Sequence, residues 1–150
     1  KTSLRADGNI SPFSLPEGHT MLSLPITSYT AVFAGFLILL LTIKVIQLRR
    51  RGGVVLGESD DRILTKAIRG HANAVEQLPI ALILMGLAEI QGGNFVLLLL
   101  SAVLLCLGRL LHGIYFGVHG THWRLRMYGM LLTLIAQGLL VGVLALTILT

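Results

Sequence analysis

A chain of 150 residues has room for one domain. It is 54% hydrophobic and only 13% charged, roughly half the ~25% charge of an ordinary soluble domain, and such a composition excludes intrinsic disorder as well. One cysteine excludes an intramolecular disulfide framework and any cysteine-rich zinc site. The composition is that of an integral membrane protein. Its net charge of +5 is unevenly placed, since Lys and Arg gather between long apolar runs. Nucleic-acid binding needs an exposed basic face on a soluble scaffold, so no nucleic-acid partner is expected.

Residues 1–20, KTSLRADGNISPFSLPEGHT, are polar and lack an apolar core. They read as a leader, tag or disordered tail rather than a signal peptide, and residues 21–150 as one four-helix transmembrane domain. Leu24 to Leu48 predicts a first helix of roughly 37 Å, long enough to cross a ~30 Å hydrocarbon core with tilt. Pro25 suits its first turn, and Arg49-Arg50-Arg51-Gly52-Gly53 is expected to end it. The second helix, about Arg62 to Ile90, begins polar and ends apolar. Gln91-Gly92-Gly93-Asn94 forms a tight turn into a third helix, about Phe95 to Phe116, and a fourth runs from about Arg126 to Leu149.

Loop charge sets orientation. Arg49, Arg50, Arg51, Arg62 and Lys66 flank the first connection and Arg124 and Arg126 the third, whereas the second has no Lys or Arg. The first and third connections are therefore expected on the cytoplasmic side and both termini on the outer side. Gly35, Gly86, Gly108, Gly129, Gly138 and Gly142 suit close helix packing, the last two at GxxxG spacing.

Polar groups at bilayer depth are costly and are functional candidates by default. At 100° per residue, Asn73 lies about 40° and Glu76 about −20° from Arg69, so the three share a helix face, with His71 opposite. A cation, an amide and an anion in line can bind a zwitterionic molecule; the same stripe can also be a solvated edge or an interhelical lock. On the third helix Arg109, His112 and Phe116 share a face, with Tyr115 at its edge. Arg124 and Tyr128 are i, i+4 partners at the start of the fourth helix, and Arg126 points elsewhere; all three also serve as ordinary interfacial anchors. His119 and His122 lack nearby carboxylate or thiol partners, so no metal is expected. Cys106 reads as a small core residue. Four spans without matched broken helices do not suggest a transporter.

The run Arg69-Gly-His-Ala-Asn73-Ala-Val-Glu76-Gln-Leu-Pro79 closely resembles the second-helix signature of the membrane-associated proteins in eicosanoid and glutathione metabolism, the MAPEG family. Ala88-Glu89 before the glycine turn and Gly108-Arg109-Leu-Leu-His112 resemble further family positions, and the likeness extends from Met21 to the C-terminus, most closely to the small bacterial members. The resemblance implies an all-α, left-handed four-helix bundle assembling as a homotrimer in a bacterial inner membrane, with glutathione between subunits. It implies that Arg69 pairs a carboxylate, Asn73 bonds the peptide and Glu76 holds the ammonium, with Arg109, His112, Tyr115 and Arg51 completing the binding set. Arg126, or Arg124 with Tyr128 in another register, would stabilise the thiolate for attack on a lipophilic electrophile. The implied activity is that of a glutathione transferase or peroxidase in detoxification. The alternative is a non-catalytic trimeric scaffold or lipid-binding protein that uses the same stripe structurally. Gln77 and Phe116 stand where eicosanoid-synthesising members have tyrosines, and Ala72 stands where one has an arginine.

Overall fold

The computed structural model describes residues 23–57 and 60–149, so the reading of residues 1–20 as a tail lies outside the described residues. Four helices follow in chain order: α1 (Pro25–Gly52), α2 (Arg62–Ile90), α3 (Phe95–Gly117) and α4 (Arg124–Leu149). Each is long and apolar enough to cross a membrane, and among the described residues there is no strand.

Helix ends follow local chemistry. Pro25 opens α1, and Gly53 closes it in the left-handed region at φ 63°, a conformation open to glycine without a Cβ penalty. The arginine cluster therefore forms the last turn of α1 rather than its stop, and the helix runs four residues past Leu48. Cations in that turn face the negative end of the helix dipole, which favours the extension. Asp61 caps α2 by accepting from the Ile63 amide at 2.8 Å, and Asn94 caps α3 by accepting from the Val96 and Leu97 amides. The fourth helix starts at Arg124, two residues earlier than the apolar pattern alone suggests.

The bundle packs through small residues. A Cβ on Gly108 would lie 2.8 Å from the Gly129 carbonyl oxygen, and one on Gly129 would lie 2.7 Å from the Gly108 oxygen, so α3 and α4 touch backbone to backbone. This is the most extensive helix contact, while α1 and α4 do not meet. Gly70 leaves room for the Phe116 ring between α2 and α3. Gly138, Gly142 and Gly35, by contrast, face open space; the expected close packing at the GxxxG pair is not made within one chain, because the α3 contact falls on the other face of α4. The interior is filled by Ala34, Ala74, Ala81, Met85, Leu98, Leu105, Ala136 and Leu140. Outward lie large apolar residues such as Phe36, Leu99 and Leu134, the surface a bilayer requires. Thr30, Thr42, Ser101, Thr133 and Thr147 each donate their hydroxyl to the carbonyl four residues back, so these five hydroxyls are satisfied within their own helices.

Candidate functional site

A cavity of about 750 Å³ opens between α2, α3 and α4 near the α3–α4 connection. Arg69, Ala72, Asn73 and Glu76 form its α2 wall, His112, Tyr115 and Phe116 its α3 wall, and Trp123, Arg126, Met127 and Met130 the remainder. The helical spacing explains the first wall: positions 69, 72, 73 and 76 form one stripe, of which Arg69, Ala72 and Glu76 are exposed. Two permanent cations, one carboxylate and one carboxamide thus face a partly apolar chamber whose volume suits a small peptide-sized ligand.

Behind the α2 wall lies Arg109, fully buried. Its Nη1 donates to Asn73 Oδ1 at 3.0 Å. A guanidinium carries only donors, so the atom it meets must be the amide oxygen, and the Asn73 amino group is left to donate into the cavity. Arg109 thereby fixes which way Asn73 presents itself. Its Nε and Nη2, and Nδ1 of the buried His112, have no hydrogen-bond partner among the described residues, an uncommon state for buried polar atoms and a mark of an incomplete polar network.

Phe116 organises the other wall. Its ring centroid lies 4.8 Å from that of His112 and 4.9 Å from that of Tyr115, the latter edge-on, and the Arg126 guanidinium carbon sits 5.9 Å from the Phe116 ring centroid, within cation–π range. Arg126 thus stands beside the aromatic wall of the cavity. Arg124 does not line it; its backbone N–H donates to His122 Nδ1 at 3.3 Å. Tyr128, half exposed, and Arg51, exposed on the last turn of α1, also lie outside the lining. Of the candidate residues, Arg69, Asn73, Glu76, His112, Tyr115 and Arg126 therefore share one chamber, Arg109 stands behind it, and Arg124, Tyr128 and Arg51 stand apart.

The sequence profile of the MAPEG family matches residues 27–146, a span that includes every residue of this chamber. The chain belongs to the MAPEG family. Two relatives, both named inner membrane protein YecN and coming from Escherichia coli strains K12 and CFT073, are 36% identical over 116 residues, covering 77% of this chain and 87% of theirs. No solved structure matches.

In this MAPEG chain, several lining residues carried no separate signal in the sequence. Trp123, Met127 and Met130 are brought to the chamber by the α3–α4 turn and the first turns of α4; the i, i+4 spacing of Arg126 and Met130 was the only trace. Glu89 has a structural task at the opposite end of the bundle. Its carboxylate accepts from the Ile26 and Thr27 amides at 2.9 and 2.8 Å and from the Thr27 hydroxyl at 2.6 Å, so the last turn of α2 caps the first turn of α1.

Proposed function

We propose that this protein is a membrane-bound glutathione-dependent transferase, with peroxidase capacity, that activates the glutathione thiolate for attack on lipophilic electrophiles. The observation that carries the reading is the convergence of Arg69, Asn73, Glu76 and Arg126 on one chamber, in a member of a family associated with glutathione. Glutathione has two carboxylates, an ammonium, peptide groups and a thiol. Arg69 pairs a carboxylate, Glu76 receives the ammonium, and the Asn73 amino group, oriented by Arg109, donates to a peptide carbonyl. His112 and Tyr115 add polar contacts from α3.

Arg126 supplies the chemistry. A guanidinium beside the thiol stabilises its anion, so the proton departs to water and the sulfur is poised as a nucleophile. A sulfur–carbon bond then forms while a leaving group departs with its electron pair, or while an activated alkene takes up a proton. The electrophile arrives from the lipid phase, against which most of the surface is apolar. The exposure of Arg69, Ala72 and Glu76 in a single chain supports a homotrimer in which a neighbouring subunit covers the chamber and brings Arg51 to it. The YecN relatives, named inner membrane proteins, support a multi-pass location in a bacterial inner membrane, and a role in detoxification follows from the substrate class.

The test is a glutathione titration of the detergent-purified protein, followed by the ultraviolet absorbance of the thiolate. Wild type and Arg124→Ala give a thiolate signal at neutral pH; Arg126→Ala retains binding but loses the signal. Absence of both binding and signal in an assembled protein overturns the transferase reading in favour of a non-catalytic trimeric scaffold. That rival also predicts that Glu76→Gln dissolves the assembly, whereas the transferase reading predicts weaker glutathione binding with assembly intact.

A further inference from the structure

A second cavity, separate in its basic lining from the chamber above, lies between the end of α1, the start of α2 and the α3–α4 connection. Its volume is about 170 Å³, and Lys44, Arg62, Lys66 and His119 line it together with the apolar Leu48 and Ile63. Among the described residues no carboxylate lines it, although Asp60 borders a neighbouring cavity that shares Arg62 and Lys66. Cationic side chains gathered around a small cleft repel one another, and an anion seated among them relieves that repulsion. The groups that hold the Lys66 ammonium are neutral: the Val118 carbonyl oxygen at 3.4 Å, the Thr121 hydroxyl at 3.3 Å and the face of the Tyr115 ring at 4.0 Å. The first two are long for such bonds, which leaves donor capacity on the ammonium.

Position and size narrow the anion. Lys44 precedes the end of α1 at Gly52 by eight residues, or about 12 Å along the axis, while Arg62 opens α2 and His119 lies in the connection. The cleft therefore sits at the level where a helix bundle leaves the hydrocarbon for the headgroup layer. It is too small for a drug-sized ligand and suits a compact, multiply charged group. Leu48 and the partly exposed Ile63 continue its wall toward the apolar outer surface. We propose that this cleft binds a phosphate group, presented by the head of an anionic phospholipid whose acyl chains run along that surface, or by free phosphate. The inference does not rest on the glutathione reading: none of the four basic residues lines the larger chamber, although Arg62 and Lys66 share a further cavity with Arg69 and Arg126.

Native mass spectrometry of the delipidated protein tests it, with phosphatidylglycerol, phosphatidylcholine and inorganic phosphate offered separately. The expected result is retention of phosphatidylglycerol about tenfold over phosphatidylcholine, abolished in Lys44→Gln/Arg62→Gln and reduced in His119→Gln. The double substitution Arg50→Gln/Arg124→Gln, which removes two charges outside the cleft, leaves it intact. Inorganic phosphate competing phosphatidylglycerol off would assign the site to the phosphate itself, and failure to compete would assign it to the whole lipid head. Equal retention of the two lipids by wild type without phosphate binding overturns the proposal, as does an equal loss in the Arg50→Gln/Arg124→Gln protein. The loop substitution His119→Gln keeps the test decisive if the helix double variant does not fold.

Discussion

Under the proposed function, the hydrogen bond between Arg109 and Asn73 serves both stability and ligand presentation. Arg109 is buried completely, and Asn73 Oδ1 is its one acceptor among the described residues. In Asn73→Leu that charge loses its acceptor, and stability should fall by about 3 kcal/mol, measurable as a lowered unfolding midpoint in detergent. Asn73→Asp instead offers Arg109 a carboxylate, so the midpoint should hold or rise. The same change replaces the amino donors facing the chamber with a negative charge, and glutathione affinity should drop by about tenfold or more. Parallel losses of stability and affinity in both variants would contradict this division of labour.

At the scale of the helices, the two ends of the bundle are held by different devices. In the last turn of α2, Glu89 satisfies three donors at the start of α1, where both the orphaned amides and the dipole favour an anion. Glu89→Gln keeps one good acceptor but loses the charge, so it should cost about 1–2 kcal/mol. Hydrogen exchange should quicken at Ile26 and Thr27 and leave the chamber residues unchanged. Toward the other end, where the second half of α3 meets the second turn of α4, the approach at Gly108 and Gly129 leaves no room for a methyl. Gly108→Ala should therefore destabilise by about 1–3 kcal/mol through overpacking. Gly138→Ala, in open space within one chain, should leave the folding of the subunit unchanged. A reversed order in the unfolding midpoints of these two variants would mean that the helices cross elsewhere.

For the whole molecule, the question is which way the bundle faces. The arginine-rich end of α1, the basic start of α2 and the start of α4 all lie at one end, and the uncharged turn after α2 lies at the other. The excess of Lys and Arg predicts that the first end is cytoplasmic. The protein has a single cysteine, so Cys106→Ala provides a background for single-cysteine labelling. A membrane-impermeant maleimide should label Gln91→Cys in intact spheroplasts and label Arg50→Cys only after lysis. The opposite pattern would reverse the orientation. Both candidate sites, the chamber and the basic cleft, would then open toward the outer side, where cytoplasmic glutathione does not reach.

What the sequence determined by itself was the class of element and its chemistry. Four apolar runs broken by charged or glycine-rich connections admit few alternatives, because an unpaired backbone cannot remain in lipid. The shared face of Arg69, Asn73 and Glu76 follows from helical geometry alone. The family was legible too, since the polar residues of α2 keep a distinctive spacing in an otherwise apolar helix. Helix ends were less so: the Arg49–Arg51 cluster looked like a stop, yet it forms the last turn because Gly53 can take the left-handed conformation beyond it. Only tertiary packing decided that Arg126 rather than Arg124 lines the chamber, that it stands beside Phe116 there, and that Arg109 stands behind Asn73. Likewise, only packing distinguished the Gly108–Gly129 crossing from the open Gly138–Gly142 face. The reason is physical. Periodicity tells which residues share a face of one helix, but which faces meet depends on the rotation and depth at which neighbouring helices pack.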